Sequence, residues 1–194
     1  MIQNRLVMPL LLAFGLAAAV PAQAQILNKP FSAWPTGDTI AVHLPVGDIT
    51  VRATSDDRDR VDVRPQGSWR DRRGVTVLNA RVGSIGTAVI RLPHRQVRVD
   101  GLEGEHRLPL SERGLFDGSE ATAEDALVLS GTEGHRVSAN VEIFLSPGTH
   151  ARVTWAAGTA AVDGTATTWT AEGTPTTLLL VAEGGEIRVV DPSP

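Results

Sequence analysis

The stretch RPQGSWRDRRG, Arg64 to Gly74, holds the densest concentration of chemically useful side chains in the chain. Arg64, Arg70, Arg72 and Arg73 surround Trp69, and only Asp71 opposes them. Guanidinium forks grip phosphate or carboxylate through paired hydrogen bonds and stack on aromatic faces. The chemistry open to this segment is therefore recognition of an anion, such as an envelope polymer or a lipid headgroup. The plainer account of the same residues is a flexible basic loop facing the acids of residues 101–133, since screened surface charge is common. Arg64, Trp69, Arg70, Arg72 and Arg73 are the ligand-binding candidates.

Catalytic chemistry finds less support. A serine nucleophile needs a strained elbow, and no G-x-S-x-G occurs; GSIG at 83–86 lacks the spacing. The chain has no cysteine and no tyrosine, which removes further nucleophiles and acids. Two of its 22 acids could meet in space as a catalytic pair, but a solvated surface is the preferred account of them. The expectation is a non-enzymatic chain with no catalytic residue and no cofactor.

No metal site is expected either. His43, His94, His106, His135 and His150 offer no i, i+2 pair on a strand face and no H-E-x-x-H. His43 alternates with Val42 and Leu44, and His150 precedes Ala151 and Val153, so both are expected to face solvent. The acids of SDDRDR, Asp56, Asp57 and Asp59, lack the glycine and spaced oxygens of a calcium loop and suit a hairpin tip between 50–52 and 61–63. Trp34, Trp155 and Trp169 could stack on a sugar, but in a chain with four Trp and four Phe they are the natural large core residues.

The elements that position these groups read as strands. Ile49, Val51 and Ala53 share a face, as do Val61 with Val63; Ala88, Ile90 and Leu92; Val97 with Val99; Val141, Ile143 and Leu145; Ala151, Val153 and Trp155; and Ile187 with Val189. Between them lie turns such as Ser146-Pro147-Gly148-Thr149, and Gly-Thr recurs at 86, 131, 148, 158, 164 and 173. The triplet AEG occurs at 171–173 and 182–184, which marks two corners at the ends of TPTTLLLV. The run Leu178 to Val181 is apolar on both faces and predicts a strand covered on both sides, by its own chain in the preferred reading or by a partner subunit. The expected fold is all-β: an irregular solenoid-like or sandwich-like array of short strands with Gly-rich corners. Residues 101–133 depart from it. They carry eight acids against Arg107 and Arg113, and predict a long excursion. Its end forms either a short helix over 119–131 or, preferred, a hairpin over 126–145 with SGTEG as its turn.

The first 24 residues read as a signal peptide, with Arg5 as positive flank, an apolar run from Leu6 to Val20, and Ala22-Gln23-Ala24 as cleavage triplet. The run is too short, and too interrupted by Pro9 and Gly15, for a spanning helix. Residues 25–194 are then one exported domain, periplasmic or extracellular, without a transmembrane anchor. Its balance is 17 cations against 22 acids once Arg5 is removed, a net charge of −5. Such a balance disfavours nucleic acid, whose binding rests on neutralising phosphates.

The segment FSAWPTGDTIAVHLPVGDITVRATSDDRDRVDVRP resembles the opening of a bacterial adhesin-labelled family of exported β-strand-repeat proteins, whose function is largely undefined. The carrying pattern is Gly47-Asp48-Ile49-Thr50-Val51, the acidic turn Asp56-Asp57, and Val61-Asp62-Val63. VEIFLSPGTHARVTWAAGTAAVDG and the closing GGEIRVV are similar to later parts of that family, so the likeness covers about 31–65 and 135–191. The chain departs from the pattern at Gly158-Thr159 and Gly164-Thr165, where the acid after glycine is missing. The resemblance implies an envelope or surface interaction module and supplies no catalytic residues; the expected partner is an anionic envelope polymer, which the arginine cluster suggests, a cell-surface component or another protein. An enzyme acting on, or a binder of, an envelope polysaccharide through carboxylates and Trp is the alternative. Edge-to-edge assembly through TTLLLV is a third, and the oligomeric state is left open.

Overall fold

The computed structural model describes residues 24–26, 31–33, 35, 37–116, 122–162 and 167–193. The signal-peptide segment up to residue 23, Trp34, and the acids Asp117 and Glu120 lie outside the described residues. In chain order the elements are β1 (Ala24–Ile26), β2 (Phe31–Ala33), β3 (Thr39–Val46), β4 (Ile49–Ala53), β5 (Arg60–Gly67), α1 (Trp69–Gly74), β6 (Thr76–Val82), β7 (Ile85–Arg91), β8 (Gln96–Arg98), β9 (Glu105–Leu110), β10 (Thr122–Ser130), β11 (Val137–Leu145), β12 (His150–Val162), β13 (Thr167–Glu183) and β14 (Glu186–Ser193). The chain is all-β, as its alternating β-branched segments require, and its large sheet curls into a nearly closed, barrel-like form.

The large sheet has eleven strands in the order β1-β6-β7-β3-β12-β4-β11-β5-β2, with β13 and β14 extending it from β12. Its centre is solenoid-like: β7, β3 and the first half of β12 run parallel, and so do the end of β12, β4 and β11. Its flanks are antiparallel meanders. The pivot is a stacked pair of corners. Between β3 and β4 the chain turns at Gly47-Asp48, and β12 makes the same bend at Ala157-Gly158, passing from β3 to β4 as its neighbour. Gly47 N donates to Ala157 O at 2.9 Å, and Asp48 Oδ1 accepts from both Thr159 N and Thr159 Oγ1, at 3.1 and 2.7 Å.

One core cluster joins both sheets, with Trp155 fully buried at its centre and its indole N–H donated to Gly158 O. The preference for Trp155 as a core residue is borne out. Val141, Ile143 and Leu145 point inward as their spacing predicts. His43 does not follow its expectation: it is buried, edge-on to Phe116 at 5.9 Å. Alternation exposes every second residue only where one face is bare, and here Phe116 packs on the outer face of β3 at His43. His150 is exposed, as expected.

Three local expectations are corrected. β4 and β5 do not form a hairpin, because β11 lies between them. The intervening Asp59 instead caps the Ser146 turn, accepting from Ser146 N and Oγ at 2.8 and 2.9 Å. Residues 126–145 are not a hairpin and not a helix: β10 pairs with β8 and β9 in a separate three-stranded sheet, while β11 belongs to the large one. The Leu178 to Val181 run is covered on both sides only in part, since Leu178, Leu180 and Val181 are buried but Leu179 is 38% exposed.

The two AEG triplets do different jobs. Gly184 sits in the β13–β14 turn, whereas Gly173 lies inside the long β13, beside the register shift in β12. Both have positive φ, +90° at Gly173 and +61° at Gly184. A Cβ at Gly173 would also fall on the His106 ring of β9, while one at Gly184 would meet nothing. Left-handed strain costs an L-residue about 1–2 kcal/mol, and overpacking adds about 1–3 kcal/mol. Gly184→Val should therefore lower the melting temperature by roughly 2–8 °C and Gly173→Val by about twice as much. Adding His106→Ala should recover part of the second loss but none of the first. Equal losses in the two variants, measured by thermal unfolding, would show that the contact between the sheets contributes nothing.

Candidate functional site

A six-residue helix has too few hydrogen bonds to stand alone, and α1 buries none of its residues. It persists because its ends and one side chain are fixed. Ser68 is the N-cap, its Oγ accepting from Asp71 N at 3.3 Å and donating to Asp71 Oδ2 at 2.6 Å. Gly74 packs against Pro93, and the next residue, Val75, enters the core.

The structure brings four of the five ligand-binding candidates together on this helix. Trp69 is 61% exposed, and the Arg73 guanidinium stacks over its ring, 4.7 Å from the centroid. Arg70, Arg72 and Arg73 are exposed and form no ion pair with a described residue, the described acids of residues 101–133 included. Arg64 is placed apart. It lies on β5 with its guanidinium 3.7 Å from Glu142 of β11.

Asp71, the acid within the basic segment, is turned to a different task. Its Oδ1 lies 2.8 Å from His94 Nε2 and 3.7 Å from His135 Nδ1. The two imidazoles are stacked, 3.4 Å between centroids and 7° between planes. The three donor atoms all lie within 4.8 Å of one another. The hydrogen bond from Ser68 is the strongest influence holding the Asp71 carboxyl below its usual value; burial opposes it, and the bond and charge of His94 and the charge of His135 assist. These residues come from α1, the β7–β8 connection and the β10–β11 connection. Histidine spacing along the chain carries no sign of them, and the only available signal was that an aspartate stood alone among arginines.

Two further clefts lie on the described surface. One, of about 640 Å³, lies between the sheets and carries Asp100, Glu103 and Glu172 on its walls. The other, of about 540 Å³, is lined by Trp169, Glu183, Glu186 and Arg188. Trp169 also packs partly against the core, and Glu183 is engaged by Arg188 at 3.0 Å. Of the calcium-like acids, Asp56 and Asp57 are exposed and Asp59 serves the Ser146 turn.

The lowered pKa of Asp71 has a defined sign. Stability from its ionised form is fully present above the ordinary aspartate value of about 4 and is lost as the pH falls through the lower value in the folded state. Asp71→Asn should therefore melt below the parent protein at pH 6, and the gap should narrow as the pH falls below about 4. A gap of constant size across that range would mean that the carboxylate acts through shape alone. Set against protein-family models, curated proteins and solved structures, the chain finds no match in any of the three comparisons.

Proposed function

We propose that this is an exported, non-enzymatic β-repeat domain acting as an adhesin-like envelope or surface interaction module, with α1 as its contact element for an anionic polymer or cell-surface component. The observation that carries the reading is the exposed Trp69–Arg73 stack on a helix that contributes nothing to the core. An exposed Trp beside three guanidiniums that form no ion pair with a described residue offers stacking and paired hydrogen bonds on one face. Arginine forks over an aromatic plane suit planar anions. The signal-like leader and the resemblance of 31–65 and 135–191 to exported β-repeat proteins support the location. The acidic balance of the chain speaks against nucleic acid as the anion.

The test is retention of the mature protein on heparin and on vesicles containing anionic lipid. Arg70→Ser/Arg72→Ser/Arg73→Ser should elute at clearly lower salt than the parent protein, and Trp69→Ala should weaken retention at unchanged net charge. The same elution salt for the triple variant and the parent would remove α1 as the contact element.

A second reading has its own observation, the cleft in which Trp169 stands beside Glu183 and Glu186. An aromatic face with carboxylates at its rim suits an envelope polysaccharide, and the Arg188 pairing of Glu183 favours binding over cleavage. Trp169→Phe should then reduce cosedimentation with insoluble cell-wall polysaccharide while leaving heparin retention intact. Unchanged cosedimentation would end this second reading.

A further inference from the structure

We propose that Asp71, His94 and His135 form a binding site for a divalent transition metal, zinc in the first instance. Two imidazole nitrogens and one carboxylate oxygen form a donor set that zinc accepts, with a fourth position left for water or an incoming ligand. Zinc bonds of about 2.0–2.1 Å place tetrahedral ligands about 3.4 Å apart. The distances from Asp71 Oδ1, 2.8 Å to His94 Nε2 and 3.7 Å to His135 Nδ1, fall on either side of that edge. An ion entering between these atoms needs a side-chain rotation rather than a rearranged backbone.

The surroundings hold the donors in place. Ser68 Oγ binds Asp71 Oδ2 at 2.6 Å and leaves Oδ1 directed at the imidazoles, the kind of outer hydrogen bond that orients metal-binding carboxylates. The His135 backbone is fastened to β8 on both sides: His135 N donates to Gln96 O at 3.1 Å, and Arg98 N donates to His135 O at 2.9 Å. The stacked rings direct their lone pairs along nearly parallel planes, so coordination requires one ring to turn. His135 is the one that can, because its side chain is 55% exposed while that of His94 is 29% exposed. The site is distinct from the anion-binding reading of α1, since it uses the aspartate of the helix and not its arginines or tryptophan.

The test uses untagged mature protein stripped with chelator. Zn²⁺ titrated by calorimetry should bind at one equivalent, and Co²⁺ should give visible ligand-field bands that Zn²⁺ abolishes. His135→Ala and His94→Ala should each weaken Zn²⁺ binding at least tenfold, and Ser68→Ala by about tenfold, while His150→Ala, which removes an exposed histidine elsewhere, should have no effect. Zn²⁺ should raise the melting temperature of the parent protein and of His150→Ala but not that of His135→Ala. Should His94→Ala fail to fold, His135→Ala and the Co²⁺ spectrum of the parent protein decide alone. Absence of binding at millimolar Zn²⁺, or binding unchanged in His135→Ala, would overturn the site and leave Asp71 with its imidazoles as an ion-pair cluster.

Discussion

Two chain segments far apart in sequence have to bend at the same place and in the same direction, and Asp48 is what locks them together. Its Oδ1 accepts two hydrogen bonds from Thr159, while its backbone carbonyl accepts Val141 N at 2.8 Å. One residue thus joins the β3–β4 corner, the bend in β12 and the start of the β4–β11 pairing. A charged acceptor with two donors is stronger than a neutral bond, and here it sits where three parallel strands must keep register. The close approach leaves no room for side chains: a Cβ on Gly158 would fall on the Gly47 carbonyl. Glycine in both corners and an acid in only one of them follow from this stacking, because a single carboxylate serves both.

The bend propagates outward. β13 pairs with β12 along nearly its whole length, so it must bend where β12 does, and Gly173 is the residue that allows it. That bend brings β13 against His106 of the small sheet. The small sheet in turn carries β8, onto which the His135 backbone is fastened, and the connection from β7 that presents His94. The position of two imidazoles beside α1 is therefore set by the way the two sheets meet, and no local preference of the α1 segment determines it.

This explains what could be read from the sequence and what could not. Strand faces such as Val141, Ile143 and Leu145 were legible because period-2 alternation is local, and so was the turn at Gly184, since turns declare themselves over a few residues; the corner expected at Gly173 is instead a bend inside β13. Pairing partners were not legible. Neighbouring strands usually pair, which made β4 with β5 and β10 with β11 reasonable hairpins, yet in the first case a third strand intervenes and in the second the strands enter different sheets. His43 was misplaced for the related reason that burial from outside the sheet leaves no mark on the strand itself. At the candidate site the exposed arginines and Trp69 were visible as composition, whereas Asp71 was read as a lone counter-charge. Its two imidazole partners are 23 and 64 residues further along and meet it only through the meeting of the sheets.

The same arrangement gives α1 two faces with opposite requirements. The arginines and Trp69 are exposed and gain by contact with an anion, while Asp71 gains by contact with cations, whether protons on His94 and His135 or a metal ion. In a longer helix these demands would be independent, since packing would hold the backbone. In six residues with no buried side chain, the bonds of Ser68 and Asp71 supply much of what keeps the helix formed. Whatever tightens the grip on Asp71 lowers the conformational entropy that Trp69 and Arg73 must still lose on meeting a partner. Whatever loosens it raises that cost. The proposed contact face and the proposed metal site, chemically distinct, are in this way coupled through the order of one helical turn and a half.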